Sequence, residues 1–176
     1  MKLLAFAASS SKKSINKQLA AYAASLVEGA DTEIVDLNDY ELPLFSQDKE
    51  AELGQPDLAH AFLSKISHAD ALIISFAEHN GTYSAAYKNL FDWCSRINPK
   101  VFQNKAMVLL ATSPGARGAA SVLAAAVSSA AFFGGEVKAN MSLPSFYDNF
   151  DVEKSQLTNE KFQQQLVATV NTLLPA

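Results

Sequence analysis

The chain has 176 residues, 49% of them hydrophobic and 18% charged, with a net charge of −4. That is ordinary usage for one globular domain with enough sequence to bury a core, and it excludes disordered, collagen-like and disulfide-rich classes. Cys94 is the single cysteine, so no intramolecular disulfide forms, which fits a reducing compartment without requiring one.

Leu3–Ala8 is an apolar run at the N-terminus, bounded by Lys2 and followed by Lys12-Lys13. A secretory core needs about 7–15 apolar residues and a membrane span about 20, so the run is too short for either. The sequence therefore reads as a soluble, cytoplasmic protein of one domain, residues 1–176, without a membrane partner. Its charge is uneven. Lys2, Lys12, Lys13 and Lys17 fall within the first 27 residues, where no acid occurs. Such a cluster is either a solvated face or a local anion site on an otherwise acidic protein. No basic stripe continues elsewhere, which argues against a nucleic-acid surface.

In chain order, Lys2–Ala7 reads as a buried strand. Ser14 caps a helix carried by Leu19, Tyr22, Ala23, Leu26 and Val27 and ended by Gly29. Thr32–Val35 is a second strand, and the mostly polar residues 38–55, with Pro43, read as a loop. Leu58, Phe62, Leu63 and Ile66 keep helical spacing. Ala71–Phe76, ALIISF, is the clearest buried strand. Ser84–Ile97 is helical, Ala106–Ala111 a fourth strand, Arg117–Phe133 a helix ending at Gly134-Gly135, Val137 to about Leu143 a fifth strand, and 157–173 a closing helix. Helix 84–97 is apolar beyond one stripe, which suits a buried helix. Phe91 and Trp93 lie off that stripe, and one of them is expected to face a partner chain.

Five strands alternating with about five helices predict a parallel sheet covered on both faces. Ligands of such a sheet sit beyond the carboxyl ends of its strands, at the topological switch point. The loops after strands one, three and four are therefore the place to look.

The first loop runs Ala8-Ser9-Ser10-Ser11-Lys12-Lys13-Ser14-Ile15-Asn16 and opens a helix, where free N–H groups and the helix dipole favour an anion. Serine-capped turns are also common without a ligand. No P-loop or dinucleotide glycine pattern is present, since the first glycine is Gly29. Asp36 accordingly reads as a capping carboxylate rather than a ribose ligand. The second loop, Ala77-Glu78-His79-Asn80-Gly81-Thr82-Tyr83-Ser84, contains an Asn-Gly pair suited to positive φ and exposed backbone amides. The third is Thr112-Ser113-Pro114-Gly115-Ala116-Arg117-Gly118, in which Arg117 could meet a phosphate or an acid across a subunit contact. His60 and His68 read as solvated, and none of the three histidines has zinc-ligand spacing. There is no nucleophile elbow.

Together the three loops resemble those of the NADPH-dependent FMN reductase family. Its first loop runs roughly G-S-x-R-x-x-S-x-N, matched by Ala8 to Asn16. Its P-E-Y-N-G-S-Y is matched by Ala77 to Tyr83, and its S-P-G-x-x-G-G by Ser113 to Ala119. Asp36-Leu37 and Leu42-Pro43-Leu44-Phe45 are similar to its second-strand exit. The resemblance reaches about residue 145. It implies a flavodoxin-like three-layer α/β/α sandwich with a five-stranded parallel sheet in the order 2-1-3-4-5. It also implies non-covalent FMN, with NADPH or NADH as co-substrate. On the motif positions Ser9, Ser11, Ser14 and Asn16 would surround the phosphate, with Lys12 and Ile15 beside them. Glu78, His79, Asn80 and Gly81 would meet the flavin or ribityl chain; Ser113, Pro114 and Gly115 the ring edge, with Arg117 nearby. Ser11 stands where the family has arginine; Ala77, His79 and Ala119 stand for proline, tyrosine and glycine.

The resemblance further implies a homodimer or tetramer with the flavin near the contact. The reaction would pass hydride from nicotinamide to flavin, then electrons to a quinone, azo, metal-oxyanion or flavin acceptor. Two other classes compete: a flavodoxin-like electron carrier that does not itself oxidise NAD(P)H, and a flavin-free α/β domain. The lysine-rich first loop suits the carrier less well.

Overall fold

ALIISF forms β3 (Ala71–Phe76), buried at every residue, as a strand covered on both faces must be. The computed structural model describes residues 1–174; positions 175 and 176 of the expected 1–176 domain lie outside the described residues. On one side of β3 stand β1 (Lys2–Ala8) and β2 (Asp31–Val35), on the other β6 (Lys105–Thr112) and β7 (Gly135–Leu143). The sheet order is β2-β1-β3-β6-β7 and every pair is parallel. Counted over the sheet's own strands, this is the flavodoxin-like order 2-1-3-4-5.

Side chains alternate across the pleat and so build two cores. Leu4, Phe6, Leu72, Ile74, Phe76 and Leu109 face α3 (Asp57–His68), α4 (Ala85–Ile97) and α5 (Ala120–Ala130). Leu3, Ala5, Ala71, Ile73, Val108 and Leu110 face α1 (Ile15–Ser25) and α7 (Glu160–Asn171). None of these helices is long and apolar enough to cross a membrane.

The structure departs from the sequence reading at residues 38–55 and at the start of the helix after the third loop. Residues 38–55 are not all loop. A 3-10 turn covers Leu37–Tyr40, begun by Asp36, whose carboxylate accepts from Asn38 N–H at 2.9 Å. Helix α2 (Gln47–Leu53) follows, capped by Ser46 and stopped by Gly54 at φ +70°. The helix expected from Arg117 starts instead at Ala120, because Gly118 and Ala119 both take positive φ, +56° and +60°. Of Phe91 and Trp93, the fold itself takes up Trp93. It is fully buried and donates its indole N–H to Pro43 O at 2.8 Å. Phe91 is half-buried and sits edge-on to Phe133, 4.7 Å between centroids. His60 and His68 are exposed, as read from the sequence.

Candidate active site

Three loops leave the carboxyl edge of the sheet side by side. In the first, Ser9 Oγ accepts from Ser11 N–H and Ser14 Oγ from Lys17 N–H, both at 3.2 Å. Ser14 thereby caps α1. An α-helix cannot pair its own first N–H groups, and those of Ile15 and Asn16 have no partner among the described residues. Lys17 is paired with Asp36, which holds the Asp36 carboxyl below its ordinary value, mainly through that bond. Lys12 and Lys13 are exposed and have no ion-pair partner among the described residues.

The second loop is a minimal hairpin, β4 (Glu78–His79) against β5 (Thr82–Tyr83). Asn80 and Gly81 at its tip have φ +52° and +82°, the doubly positive pattern of a tight hairpin turn. The third loop ends at Gly118, where a Cβ would lie 2.9 Å from Pro144 N. That position admits glycine alone without displacement of backbone.

Polar side chains tie these loops to one another. Asn16, 3% exposed, accepts from Ser75 Oγ at 2.7 Å and Thr112 N–H at 3.0 Å, and donates to Thr112 O at 3.1 Å. It joins the first loop to the ends of β3 and β6. Ser84 donates to Ala8 O at 2.9 Å, joining the exit of the second loop to the end of β1. Glu78 Oε2 accepts from Val122 N–H at 2.9 Å, joining the second loop to α5.

A cleft of about 310 Å³ lies among them. Of the residues singled out from sequence, Ser9, Ser11, Ser14, Ile15, Asn16, Glu78, His79, Ser113 and Pro114 line it. Lys12 lines an adjoining recess along α1. Asn80 and Gly81 are at the exposed hairpin tip, and Gly115 and Arg117 are also exposed, outside the lining. Arg117 donates to Ser121 Oγ, in the first turn of α5, at 3.1 Å.

Lys13, Ala77, Thr112 and Tyr147 also line the cleft. Lys13 was visible in the loop. Tyr147, 64% exposed, carried no sequence signal. It rides on the short helix α6 (Phe146–Asn149), held on the third loop by Ser145 N–H to Gly115 O and Phe146 N–H to Ser113 O, both 3.0 Å. Chemically the arrangement offers hydroxyls, free helix N–H groups and an ammonium to an anion at one end. At the other it offers hairpin and third-loop backbone to a planar group.

Comparison with known proteins agrees with this geometry. The NADPH-dependent FMN reductase family matches residues 1–146. A 2-hydroxy-1,4-benzoquinone reductase from a Burkholderia species is 36% identical over 122 residues, 68% of this chain and 64% of that protein. An NADPH:quinone oxidoreductase of Arabidopsis thaliana is 35% identical over 95 residues, 54% of this chain and 47% of that protein. The chain therefore spans less than two thirds of the length of either relative. Among solved structures, the flavoenzyme NAD(P)H:(acceptor) oxidoreductase FerB of Paracoccus denitrificans superposes with a TM-score of 0.77 at 24% identity, covering 98% of this chain and 94% of that one. The chain belongs to the NADPH-dependent FMN reductase family.

Proposed function

We propose that this protein is an NAD(P)H-dependent FMN oxidoreductase whose acceptor is a small quinone-like molecule. The observation that carries the reading is the cleft at the carboxyl edge. There, an unpaired ammonium, serine hydroxyls and the unpartnered N–H groups that open α1 sit together in a recess shared by all three loops. The chemistry a bound flavin supplies is acceptance of hydride from the nicotinamide and delivery of electrons to the acceptor.

The residues fit that group. Ser9, Ser11, Ser14 and the start of α1 would hold its phosphate, and the missing family arginine at Ser11 is replaced in charge by Lys13, which lines the cleft where Lys12 does not. The backbone around His79 and around Ser113-Pro114 would orient the ring. Tyr147 would add an aromatic wall. Asn80, Gly81, Gly115 and Arg117 belong to the supporting turns in this reading. Quinone reduction is supported by the names of the Burkholderia and Arabidopsis relatives. A homodimer or tetramer is part of the same reading, supported by exposed apolar side chains at Leu44, 80%, and Phe132, 74%.

The test is spectroscopic. Purified protein titrated with FMN should turn yellow through a tight complex, and NADPH or NADH should bleach it anaerobically, with colour restored by a benzoquinone. Protein that takes up no FMN contradicts the reading. Protein that binds FMN but is not bleached by either nicotinamide is an electron carrier instead.

A further inference from the structure

The three ties between the loops are unequal. Asn16 and Ser84 bond to the framework from buried positions, 3% and 4% exposed, next to the strands. Glu78 instead joins two pieces with little support of their own, although Tyr83 of β5 packs on Phe76 and Tyr87 and its hydroxyl lies 3.4 Å from Ser129 Oγ of α5. One is the hairpin β4–β5, two residues per strand, far below the size at which a hairpin is stable alone. The other is the first turn of α5. Its N-cap position is Ala119, which has no side-chain oxygen and sits at φ +60°.

Helix N-termini leave N–H groups without partners, and serine, threonine or aspartate at the N-cap usually satisfies the one at the third position. Here that N–H belongs to Val122, and its acceptor is a carboxylate 44 residues away in sequence. A negative group at this spot is also favoured by the helix dipole.

We infer that Glu78 is a positioning residue: it serves as the N-cap of α5 from the second loop and thereby latches the flavin-side hairpin to the helix that the third loop leads into. The family motif places this glutamate among the cofactor contacts. The geometry assigns its carboxylate to the protein instead. The acidic side chain in the cleft is then turned away from any bound anion, and His79 and the Asn80-Gly81 turn are set at a fixed distance from Ser113 and Pro114. The inference rests on the proposed flavin site for its effect on binding, but not for the latch itself.

The experiment compares wild type with Glu78→Ala, Glu78→Gln and Glu78→Asp. Hydrogen exchange at the Val122 amide is read in the cofactor-free protein, and FMN affinity and the shape of the bound flavin's visible band in the loaded one. Glu78→Ala should speed Val122 exchange and weaken FMN, each on the order of tenfold, since a lost cap corresponds to about that ratio. Glu78→Gln keeps an acceptor oxygen of the same reach and should restore protection, affinity and band shape. Glu78→Asp, shorter by one methylene, should follow Glu78→Ala and serves in its place if the alanine variant fails to fold. Unchanged Val122 exchange in Glu78→Ala, or a glutamine variant as impaired as the alanine one, overturns the latch. If wild-type protein takes up no FMN, the proposed function falls, while the exchange arm still decides the latch.

Discussion

The two ends of the sheet carry recesses of similar size, and they differ in how charge is arranged. At the amino edge a hollow of about 270 Å³ is bordered by Lys2, Asp31, Glu33, Lys65 and His68. Its charges are mixed in sign and partly paired: Lys65 pairs with Glu33 at 2.6 Å, the backbone N–H of Lys2 donates to the Asp70 carboxylate at 2.7 Å, and Lys2 shares the lining with Asp31 and Glu33. At the carboxyl edge the cleft of about 310 Å³ contains Lys13, which has no ion-pair partner among the described residues. Its one acidic lining residue, Glu78, is engaged by Val122. Volume does not separate the two ends. Unspent positive charge beside orphan helix N–H groups does, because that combination is stabilised only by something that comes from outside the chain.

The largest way to break the carboxyl edge is Gly118→Ala. The new Cβ would meet Ser142 Oγ and the backbone of Pro144, at φ +56°. Left-handed strain and overpacking together should cost about 3 kcal/mol in urea unfolding. An unchanged midpoint would mean that the third loop is not wedged against β7 as described. A smaller effect sharpens the comparison of charge. Lys13→Ala should weaken FMN on the order of tenfold, the loss of one charge-assisted contact, and more than Lys12→Ala. Smallest is Lys65→Ala at the amino edge. Its ion pair is exposed and worth little, so FMN affinity and unfolding midpoint should both match wild type. Equal losses from Lys13→Ala and Lys65→Ala would erase the distinction between the two ends.

Much of this was legible in the sequence because the responsible chemistry is local. ALIISF, Ser14 before a helical run and Asn80-Gly81 each specify their structure within a few residues, and strict alternation specified the sheet. What stayed hidden depends on distant partners. Spacing alone leaves Phe91 and Trp93 as equal candidates for a partner chain, and what removes Trp93 is a bond to a carbonyl 50 residues away. Helix α2 buries none of its residues, so no apolar period betrayed it. Helix α5 starts three residues late because the backbone at Gly118 and Ala119 turns left-handed against β7, and the periodicity of the following alanines says nothing of that. Within the site, the first loop is found by its place between a buried strand and a helix start, and its phosphate residues are named by the family resemblance. The placement of Tyr147 depends on backbone bonds to Ser113 and Gly115, and the role of Glu78 on an N–H in another element. Neither leaves a mark on spacing.

The central claim is that the carboxyl edge is built to hold a phosphate. The most direct test is a titration of the protein with FMN and with riboflavin, which differ only in that group, at low and high salt. FMN should bind at least a hundredfold more tightly, about 2.7 kcal/mol at 1.36 kcal/mol per tenfold, with an advantage that shrinks as salt screens the lysine. Equal affinity for the two flavins, or an advantage for FMN insensitive to salt, would contradict it.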